Sequence, residues 1–462
     1  MPVLMKGVLD QTGIAGGQWA RRLLAGAMAL GLTATSARTS AAASFSKGPY
    51  LQSLGGSGVT VKVELDAPGP ASLEIYAAGE GRRITEARSP DAKDFHALRA
   101  EGLAPGTSYD YRVLSGDVKS ELGHFTTAPS GDAPFRFLIY GDSRSDPDAH
   151  AAIVRGLLAA PGEFLINTGD MVLAGKNPSD WAAFFAIEGP LIRDRCVFAC
   201  VGNHELSRGD PAGEVAFLRY FSGADEHGER TRLYGSFRWS NTRFFLLNAM
   251  DTWTGEERDW LREELDRAAY EPGLVHRVAV LHHGPFSSGP HGGNAALINA
   301  GVIPILASGK IDLVLAGHDH VYERGDGEGL KYVITGGAGA PLYEHKLSAP
   351  QTIAFESVHH FVEAAIDGPS VKIVARRIDG SVIESCGFRG AGPWHCDAAP
   401  TPPAPVATSA PKDASENPTK RSCGCSVPGD RSAASAPLTA ALGLLALFAR
   451  RRPAVTRAAR AP

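Results

Sequence analysis

The sequence predicts two successive architectures, a β-rich segment followed by a layered α/β domain. Residues 44–129 alternate in short β-type runs, with turn residues at the spacing of a β-sandwich. After residue 129, apolar runs alternate with helical patterns, which is typical of layered α/β domains. Polar residues follow the apolar runs directly, at the strand ends where functional groups of such domains gather.

The β-rich segment contains four clear runs and no convincing helical pattern between them. The runs read VTVKVEL, ASLEIYAA, SYDYRVL and GHFTTAP. Alternation of this kind predicts strands with one buried face. By itself the segment is compatible with a purely structural role.

The second domain is predicted from five apolar runs and two helical patterns. The runs are FRFLIY (135–140), FLIN (164–167), VFACV (197–201), VAVL (278–281) and IDLVL (311–315). Such short apolar runs are typical of strands buried on both faces. The helical patterns cover 148–160 and 255–269.

Each of the five predicted strands is followed by side chains that can bind a metal. They are Asp142, Asp170, Asn203, the pair His282 and His283, and His318 with His320. On an extended backbone, alternate residues point the same way, so His318 and His320 can converge on one point. A single Gly-Asp is ordinary turn chemistry. Five such strand ends in succession indicate a metal centre.

Five short motifs resemble the signature blocks of the calcineurin-like metallophosphoesterases. They are GDSR (141–144), GDMV (169–172), GNHE (202–205), HHGP (282–285) and GHDHVYER (317–324). With the β-rich segment in front, residues 47–387 resemble the purple acid phosphatase branch. The stretch LAPGTSYDYRV resembles a hairpin of fibronectin type III domains. The resemblance implies a fibronectin-III-like sandwich at 44–129 and a four-layer α/β/β/α catalytic domain at 130–396.

The same resemblance implies a pair of metal ions held by six residues. Asp170 would bridge the ions, with Asp142 and His320 completing one site. Asn203, His283 and His318 would complete the other, His283 being chosen because the family pattern is His-x-Pro. A hydroxide bridging the two metals would then attack phosphorus in line with the leaving oxygen.

Further residues receive supporting roles from this resemblance. His204 is placed to protonate the leaving oxygen or to stabilise the charged transition state. His291 is either a substrate-facing residue or a loop histidine. Four more are expected to orient the ligands: Glu205, Tyr322, Glu323 and Arg324.

Two positions depart from the family pattern. Leu173 stands where purple acid phosphatases carry the tyrosine that binds iron(III), so no purple centre is expected, and iron, manganese and zinc all remain candidates. Arg144 stands where other branches carry a histidine ligand, and a guanidinium has no lone pair to offer. We expect Arg144 to contact the substrate phosphate; the alternative is a salt bridge to Asp146 or Asp148.

The bulk composition and the amino-terminal segment bear on location. The chain has 462 residues, 21% of them charged, and a net charge of −4. No basic stripe stands out in its interior, so nucleic-acid binding is not predicted.

Residues 1–43 carry paired arginines, an apolar stretch and a small-residue site, the order of a secretory signal peptide.

The carboxyl-terminal region predicts a linker and an anchor. Residues 397–422 form a Pro/Ala/Ser-rich linker, and 423–462 contain a Cys-Gly-Cys motif, a short apolar run and three arginines. The last segment resembles myxobacterial sorting tags, which implies membrane contact at the cell surface or secretion after processing; the alternative is a disordered tail.

Cys386 and Cys396 are candidates for a disulfide, whereas Cys196 and Cys200 are expected to be core thiols.

These features predict an exported dinuclear-metal phosphoesterase that acts on phosphomonoesters of small molecules or of the cell surface. One alternative is a phosphodiesterase or nucleotidase with the same metal core. Another is a surface binding or adhesion protein whose catalytic half has decayed. A zinc protease of the His-Glu-x-x-His type is excluded, since the chain lacks that motif.

Overall fold

The structure, a computed structural model, describes residues 44–206, 209–221, 232–250, 253 and 255–397. The predicted signal peptide, the predicted anchor and all but the first residue of the predicted linker lie outside these residues. No helix in the described part of the chain is long and apolar enough to cross a membrane.

The β-rich segment forms six strands that are hydrogen-bonded into one antiparallel sheet. They are β1 (Phe45–Gln52), β2 (Gly58–Ala77), β3 (Arg83–Glu101), β4 (Ser108–Ser115), β5 (Val118–Lys119) and β6 (Gly123–Thr126). Strand β2 has 20 residues, and this length lets it pair with β1, β3 and β4 at once. The predicted strands are therefore present, and the sandwich form remains a prediction.

After residue 129 strands and helices largely alternate as far as Ala316, and seven strands then follow without a helix between them. In order they are β7 (Phe135–Tyr140), α1 (Pro147–Ala159), β8 (Phe164–Asn167), α2 (Pro178–Asp194), β9 (Cys196–Ala199), α3 (Pro211–Tyr220), β10 (Gly235–Trp239), β11 (Thr242–Leu247), α4 (Glu256–Ala269), β12 (His276–Leu281), α5 (Ala295–Asn299), α6 (Val302–Ser308), β13 (Leu313–Ala316), β14 (Tyr322–Gly327), β15 (Leu330–Thr335), β16 (Thr352–Glu356), β17 (His360–Asp367), β18 (Ser370–Arg377), β19 (Val382–Arg389) and β20 (His395–Cys396). The mixed α/β fold is confirmed.

Two mixed sheets of seven strands each carry the second domain. One has the order β20-β19-β18-β17-β7-β8-β9, with β7, β8 and β9 parallel. The other has the order β10-β11-β12-β13-β15-β14-β16, with β11, β12, β13 and β15 parallel. Parallel strands end at the same edge of a sheet, so each sheet presents several carboxyl ends side by side.

Neighbouring residues on these strands pack in opposite directions. Phe164 of β8 and Phe244 of β11 belong to the core shared by the two sheets, with ring centroids 5.5 Å apart. Leu165, the next residue on β8, packs instead with the apolar faces of α1 and α2. Phe245, the next residue on β11, packs with α4 and α6. This alternation follows from the two-residue period of a strand.

The amino-terminal sheet contacts the second domain through tyrosine hydroxyls. Tyr50 of β1 donates to the carbonyl of Tyr220 at 2.9 Å, and Tyr111 of β4 donates to the carbonyl of Arg193 at 2.7 Å. Both tyrosine rings are fully buried. The first sheet is thereby packed against α2 and α3.

The cysteines behave as predicted where the structure describes them. Cys386 and Cys396 form a disulfide between β19 and β20. Cys196 and Cys200 are buried thiols, and burial raises the pKa of Cys196 to about 12. A thiol with so high a pKa is unreactive at neutral pH.

Candidate metal centre

The predicted ligands follow the carboxyl ends of five strands drawn from both seven-stranded sheets. Asp142, Asp170 and Asn203 follow β7, β8 and β9, while the histidines follow β12 and β13. Asp142, Asp170 and His318 all have left-handed backbone, with φ of 58°, 56° and 70°. Such conformations in non-glycine residues concentrate at functional sites, where the surrounding structure holds them in place.

Glycines let these strand ends approach one another closely. A Cβ on Gly141 would lie 1.9 Å from Oγ1 of Thr168, and one on Gly317 would lie 2.4 Å from Oδ2 of Asp142. A larger residue at Gly141 would push apart neighbouring strand ends of one sheet, and a larger residue at Gly317 would push apart strand ends of the two sheets. The glycines of the Gly-Asp and Gly-His motifs are thus required by the packing of the site.

A first cluster consists of Asp142, Asp170 and His320. One ligand atom from each lies within 4.8 Å of the others, and all three side chains are buried. Oδ2 of Asp142 accepts a hydrogen bond from the backbone N–H of His318 at 3.0 Å. Its Oδ1 is buried and has no hydrogen-bond partner among the described residues, and it lies 3.6 Å from Nε2 of His320.

A second cluster shares Asp170 and adds Asn203, His282 and His318. Oδ1 of Asn203 lies 3.1 Å from both Nε2 of His282 and Nδ1 of His318. Those two ring nitrogens are 3.2 Å apart, and Oδ1 of Asp170 lies 3.4 Å from Nε2 of His282. Asp170 therefore touches both clusters, the position that a bridging carboxylate requires.

The structure brings His282, rather than the predicted ligand His283, to this cluster. Nε2 of His283 donates to the carbonyl of Gly292 at 3.0 Å, away from Asn203. Nδ1 of His282 donates to the carbonyl of Thr168 at 2.8 Å, which directs Nε2 toward Asn203. Consecutive residues on extended backbone point to opposite sides, so only one of the two can face the cluster.

Burial and charge set the protonation of both clusters. Burial, with the Asp170 charge nearby, raises the pKa of Asp142 well above its usual value. Burial would also raise the pKa of Asp170, but the neighbouring His282, His204 and Arg144 outweigh it and lower that pKa. Burial lowers the pKa of His282 and His318, and it lowers that of His320 to about 4. The imidazoles are therefore neutral at physiological pH, the form that binds metal.

The predicted catalytic histidines lie beside these clusters. Nδ1 of His204 donates to the carbonyl of Leu173 at 2.6 Å, and its Nε2 lies 3.9 Å from Oδ2 of Asp170. The His291 ring, 42% exposed, lies 4.5 Å from the His318 ring, and its Nδ1 lies 2.6 Å from Oδ1 of Asp319. Both histidines thus lie at the rim of the site.

Arg144 contacts the first cluster directly. Its Nε donates to Oδ2 of Asp170 and its Nη2 to Nε2 of His320, both at 3.2 Å. Asp146 instead caps α1, accepting from two backbone N–H groups. In the described residues Arg144 therefore makes its ion pair with Asp170, and the alternative pair with Asp146 or Asp148 is not seen.

Of the four residues expected to orient the ligands, Glu205 bonds to the backbone of the ligand Asp170, and the other three bond to side chains outside the clusters. Glu205 accepts from four backbone N–H groups, including those of Asp170 and Gly202 at 2.8 Å. Burial raises the pKa of Glu205 to about 8, with the charge of Asp170 contributing. Tyr322 and Arg324 both donate to Glu384, a partner that sequence reasoning missed. Glu323 accepts from three side chains, those of Ser288, Tyr332 and Thr352.

Two other neighbours of the site were not anticipated. The Tyr343 ring stacks on His320 with centroids 4.1 Å apart. Asp319 orients His291, and its position between the two histidines of GHDH was a signal that could have indicated this. Leu173, in place of a tyrosine ligand, is 54% exposed and contributes only its backbone carbonyl.

A cavity of about 170 Å³ opens beside the first cluster. Its lining is mostly apolar and includes Ser143, Arg144, Met171, Val172, Leu173 and Phe184. Arg144 thus lies between this cavity and the first cluster.

Sequence comparisons identify the domain that carries these residues. Residues 135–322 match the calcineurin-like phosphoesterase family. The chain is 28% identical over 301 residues to an uncharacterized protein of Mycobacterium tuberculosis, covering 57% of this chain and 56% of that protein. It is 26% identical over 344 residues to phosphoenolpyruvate phosphatase of Allium cepa, covering 71% and 68%. It is 22% identical over 267 residues to purple acid phosphatase 5 of Arabidopsis thaliana, covering 56% and 62%. It thus spans between half and two thirds of the mycobacterial and Arabidopsis proteins.

Solved structures of the same fold include a plant purple acid phosphatase. The phosphatase PPD1 from seeds of yellow lupin (Lupinus luteus) superposes with a TM-score of 0.63 at 18% identity, covering 74% of each chain. PhoD superposes with a TM-score of 0.60 at 12% identity, covering 76% of this chain and 92% of that one. Residues 135–322 are thus similar to calcineurin-like phosphoesterase domains, and the chain shares the fold of these two solved structures.

Proposed function

We propose that the calcineurin-like phosphoesterase domain of this chain hydrolyses phosphomonoesters with the help of two cations held at its strand ends. The observation that carries the proposal is that buried side chains able to bind a metal converge on Asp170. Its Oδ1 lies 3.4 Å from Nε2 of His282, and it also shares a cluster with Asp142 and His320. Such an arrangement needs positive charge to be stable.

The residues present fit metal ions at both positions. Oδ1 of Asp142 is a buried carboxylate oxygen without a hydrogen-bond partner among the described residues, and such atoms are normally paired. Nε2 of His282 directs a lone pair at Oδ1 of Asn203, which is also an acceptor, only 3.1 Å away. A cation between facing acceptors would satisfy both. Asp142, Asp170 and His320 would hold one ion, and Asp170, Asn203, His282 and His318 the other.

The oxygen and nitrogen donor set is compatible with iron, manganese or zinc. Because Leu173 cannot act as a phenolate ligand, no purple iron(III) centre is expected. Bound together, two such ions would supply Lewis acidity and an activated water for in-line displacement at phosphorus.

The chain's own residues would move protons and hold the ester. His204 keeps its Nδ1 proton on the Leu173 carbonyl, and this orients its Nε2 beside Asp170, where a protonated ring can donate to the leaving oxygen. His291, oriented by Asp319, lies on the exposed rim where a substrate phosphate would enter. Arg144 would donate to phosphate oxygens.

A phosphomonoester of a small molecule is the substrate class we favour. One relative is named phosphoenolpyruvate phosphatase, and the cavity beside Arg144, at about 170 Å³, has room for a small organic group. No specific observation favours the phosphodiesterase or nucleotidase alternative. The alternative of a surface binding protein whose catalytic half has decayed is disfavoured. With His282 in the place of His283, every position of the proposed ligand set is filled.

We also propose that the protein is exported and acts at the cell surface or after release from it. The disulfide Cys386–Cys396 supports an oxidising compartment. The six strands of 44–129 support a fibronectin-III-like sandwich, and the split packing of both larger sheets supports a four-layer α/β/β/α order. The segments 1–43 and 423–462 would provide export and membrane contact.

The test combines elemental analysis of the full chain with hydrolysis assays before and after chelation. We expect about two metals per chain, and turnover of p-nitrophenyl phosphate that chelation abolishes and added metal restores. Bis(p-nitrophenyl) phosphate should be hydrolysed more slowly. Faster turnover of the diester would replace our substrate class with the diesterase alternative, and no turnover with any of the three metals would refute the proposal.

A further inference from the structure

We propose that Arg144 competes with a cation for the lone pair of His320, so that phosphate binding and metal loading at the Asp142–His320 position promote each other. This inference deepens the proposed function and rests on it for the identity of the two metal positions. It concerns the regulation of metal loading rather than the chemical step.

The hydrogen bonds of His320 show which of its ring nitrogens carries the lone pair that faces the site. Its Nδ1 lies 2.6 Å from the carbonyl of Pro341. A carbonyl oxygen only accepts, so the proton of the neutral ring is on Nδ1 and the lone pair is on Nε2. Nη2 of Arg144 lies 3.2 Å from this Nε2. Since a guanidinium has only donors, Arg144 already uses the lone pair that a metal would need.

The His320 ring has little freedom to serve both partners. It stacks on Tyr343 with centroids 4.1 Å apart, and its side chain is 1% exposed. Turning the ring would break the hydrogen bond to Pro341. A metal ion at this position therefore requires Arg144 to leave.

Arg144 is also the cation that offsets the buried carboxylates in the absence of metal. Its Nε donates to Oδ2 of Asp170, and the two side chains are only 12% and 1% exposed. A buried carboxylate without a positive partner is costly. The contact thus stabilises the metal-free state and opposes loading of the first position.

At the second metal position Arg144 contacts only the shared Asp170, through Oδ2, whereas Oδ1 of Asp170 faces His282. In the contacts that the structure describes, Arg144 donates no hydrogen bond to Asn203, His282 or His318. We therefore expect one tight metal site, built on those three residues with Asp170, and one weaker site at His320.

A phosphate oxyanion offers Arg144 an alternative partner. The cavity beside the first cluster is lined by Arg144 itself together with Ser143 and Ser145, and Nη1 already lies 3.2 Å from Oγ of Ser145. The planar guanidinium binds phosphate oxygens in a bidentate manner. When phosphate holds Arg144 on this side, the lone pair of His320 becomes available, and linkage requires that each ligand tighten the other.

The test is a calorimetric titration of the metal-free full chain with Mn²⁺, with and without inorganic phosphate below the level at which the metal precipitates. For the wild type we expect one tight event and a second at least about tenfold weaker, which phosphate tightens about tenfold. Arg144→Met should bind two ions with similar affinity and show no phosphate effect. The matched control is Arg155→Met, which removes an exposed arginine from α1 and should behave as the wild type.

Two results would overturn the inference: equal metal affinities in the wild type without phosphate, or a phosphate effect that persists in Arg144→Met. If Arg144→Met folds poorly, the more conservative variant Arg144→Gln takes its place, and it should show the same metal affinities and the same lack of a phosphate effect. The proposed function is tested separately by hydrolysis of p-nitrophenyl phosphate. Coupling without hydrolysis would refute the proposed function alone, and hydrolysis without coupling would refute this inference alone.

Discussion

Nε2 of His282 lies 3.1 Å from Oδ1 of Asn203, although the two residues follow strands of different sheets. His282 follows β12 and Asn203 follows β9. The hydrogen bond from Nδ1 of His282 to the carbonyl of Thr168 fixes the ring in this direction. The contact therefore ties the carboxyl ends of both sheets together at the point where we place a metal.

Replacing His282 should disable the site, whereas replacing His283 should not. His282→Ala removes a nitrogen that faces Asn203 and Asp170, so metal content should fall and kcat/KM should drop by roughly 100-fold or more. His283→Ala removes the hydrogen bond to Gly292 and the ring contact with His318, neither of which is a proposed metal contact, so most activity should remain. Elemental analysis and steady-state kinetics on both variants decide this. The reverse order of effects would restore His283 as the ligand.

Asp170→Asn should lose metal and activity together. The amide keeps the size of the side chain but removes the negative charge that both clusters share. Metal per chain and turnover of p-nitrophenyl phosphate should both fall well below the wild-type values, by roughly 100-fold for turnover. Circular dichroism checks that the variant is folded. Full metal content with full activity would show that Asp170 is not a bridging ligand.

His204→Ala should lower the rate and leave bound metal unchanged. The His204 side chain lies at the rim, 3.9 Å from Asp170, and we assign it to proton donation rather than to metal binding. Loss of a general acid costs about 10²–10⁴-fold in rate. The loss should be smaller for substrates whose leaving group needs no proton, such as p-nitrophenyl phosphate, than for alkyl phosphates. An equal loss on both substrates would argue against the acid role.

His360 should make the fold less stable in acid. Burial lowers its pKa to about 4 from 6.5, so the folded state keeps it neutral while the unfolded chain takes up a proton. The contribution of neutral His360 to the free energy of unfolding is complete above pH 6.5 and is lost as the pH falls toward 4. At pH 5 the free energy of unfolding is lower by about 2 kcal/mol for this reason. His360→Phe should remove this part of the pH dependence in urea unfolding between pH 7 and 5. Parallel curves for both proteins would contradict the assignment.

The strand ends could be predicted because the relevant patterns are local. Short apolar runs, the glycines after them and the polar residues that follow all lie within a few positions of one another. Parallel strands then bring Asp142 and Asp170 to one edge without any further information. The disulfide was predictable for the same reason, since Cys386 and Cys396 flank one short loop.

The choice between His282 and His283 could not be made from the local pattern. Both stand before a proline-containing turn, and the decision depends on which ring finds a fixed acceptor across the interface. Thr168 of the other sheet provides that acceptor for His282, whereas His283 bonds to Gly292 in the loop that follows it. A contact between residues more than a hundred positions apart leaves no trace in the spacing of either motif.

For Arg144, too, the sequence determined the chemistry of the side chain but not its partners. The sequence alone determined that a cation without a lone pair stands two residues after Asp142, because residue identity fixes that chemistry. The nearby Asp146 and Asp148 were reasonable partners by proximity along the chain, yet Asp146 is engaged in capping α1. The actual partners, Asp170 and His320, come from elsewhere in the sequence.

The sequence by itself determined five buried strands and the ligand-bearing ends that follow them, because these depend on periodicity and residue type, and the resemblance of the motifs indicated the class of chemistry. Only the tertiary structure decided which histidine faces Asn203 and that Arg144 uses the lone pair of His320. Those choices depend on the direction of each side chain and on acceptors such as Thr168 and Pro341, which long-range packing of the two sheets brings within hydrogen-bond distance.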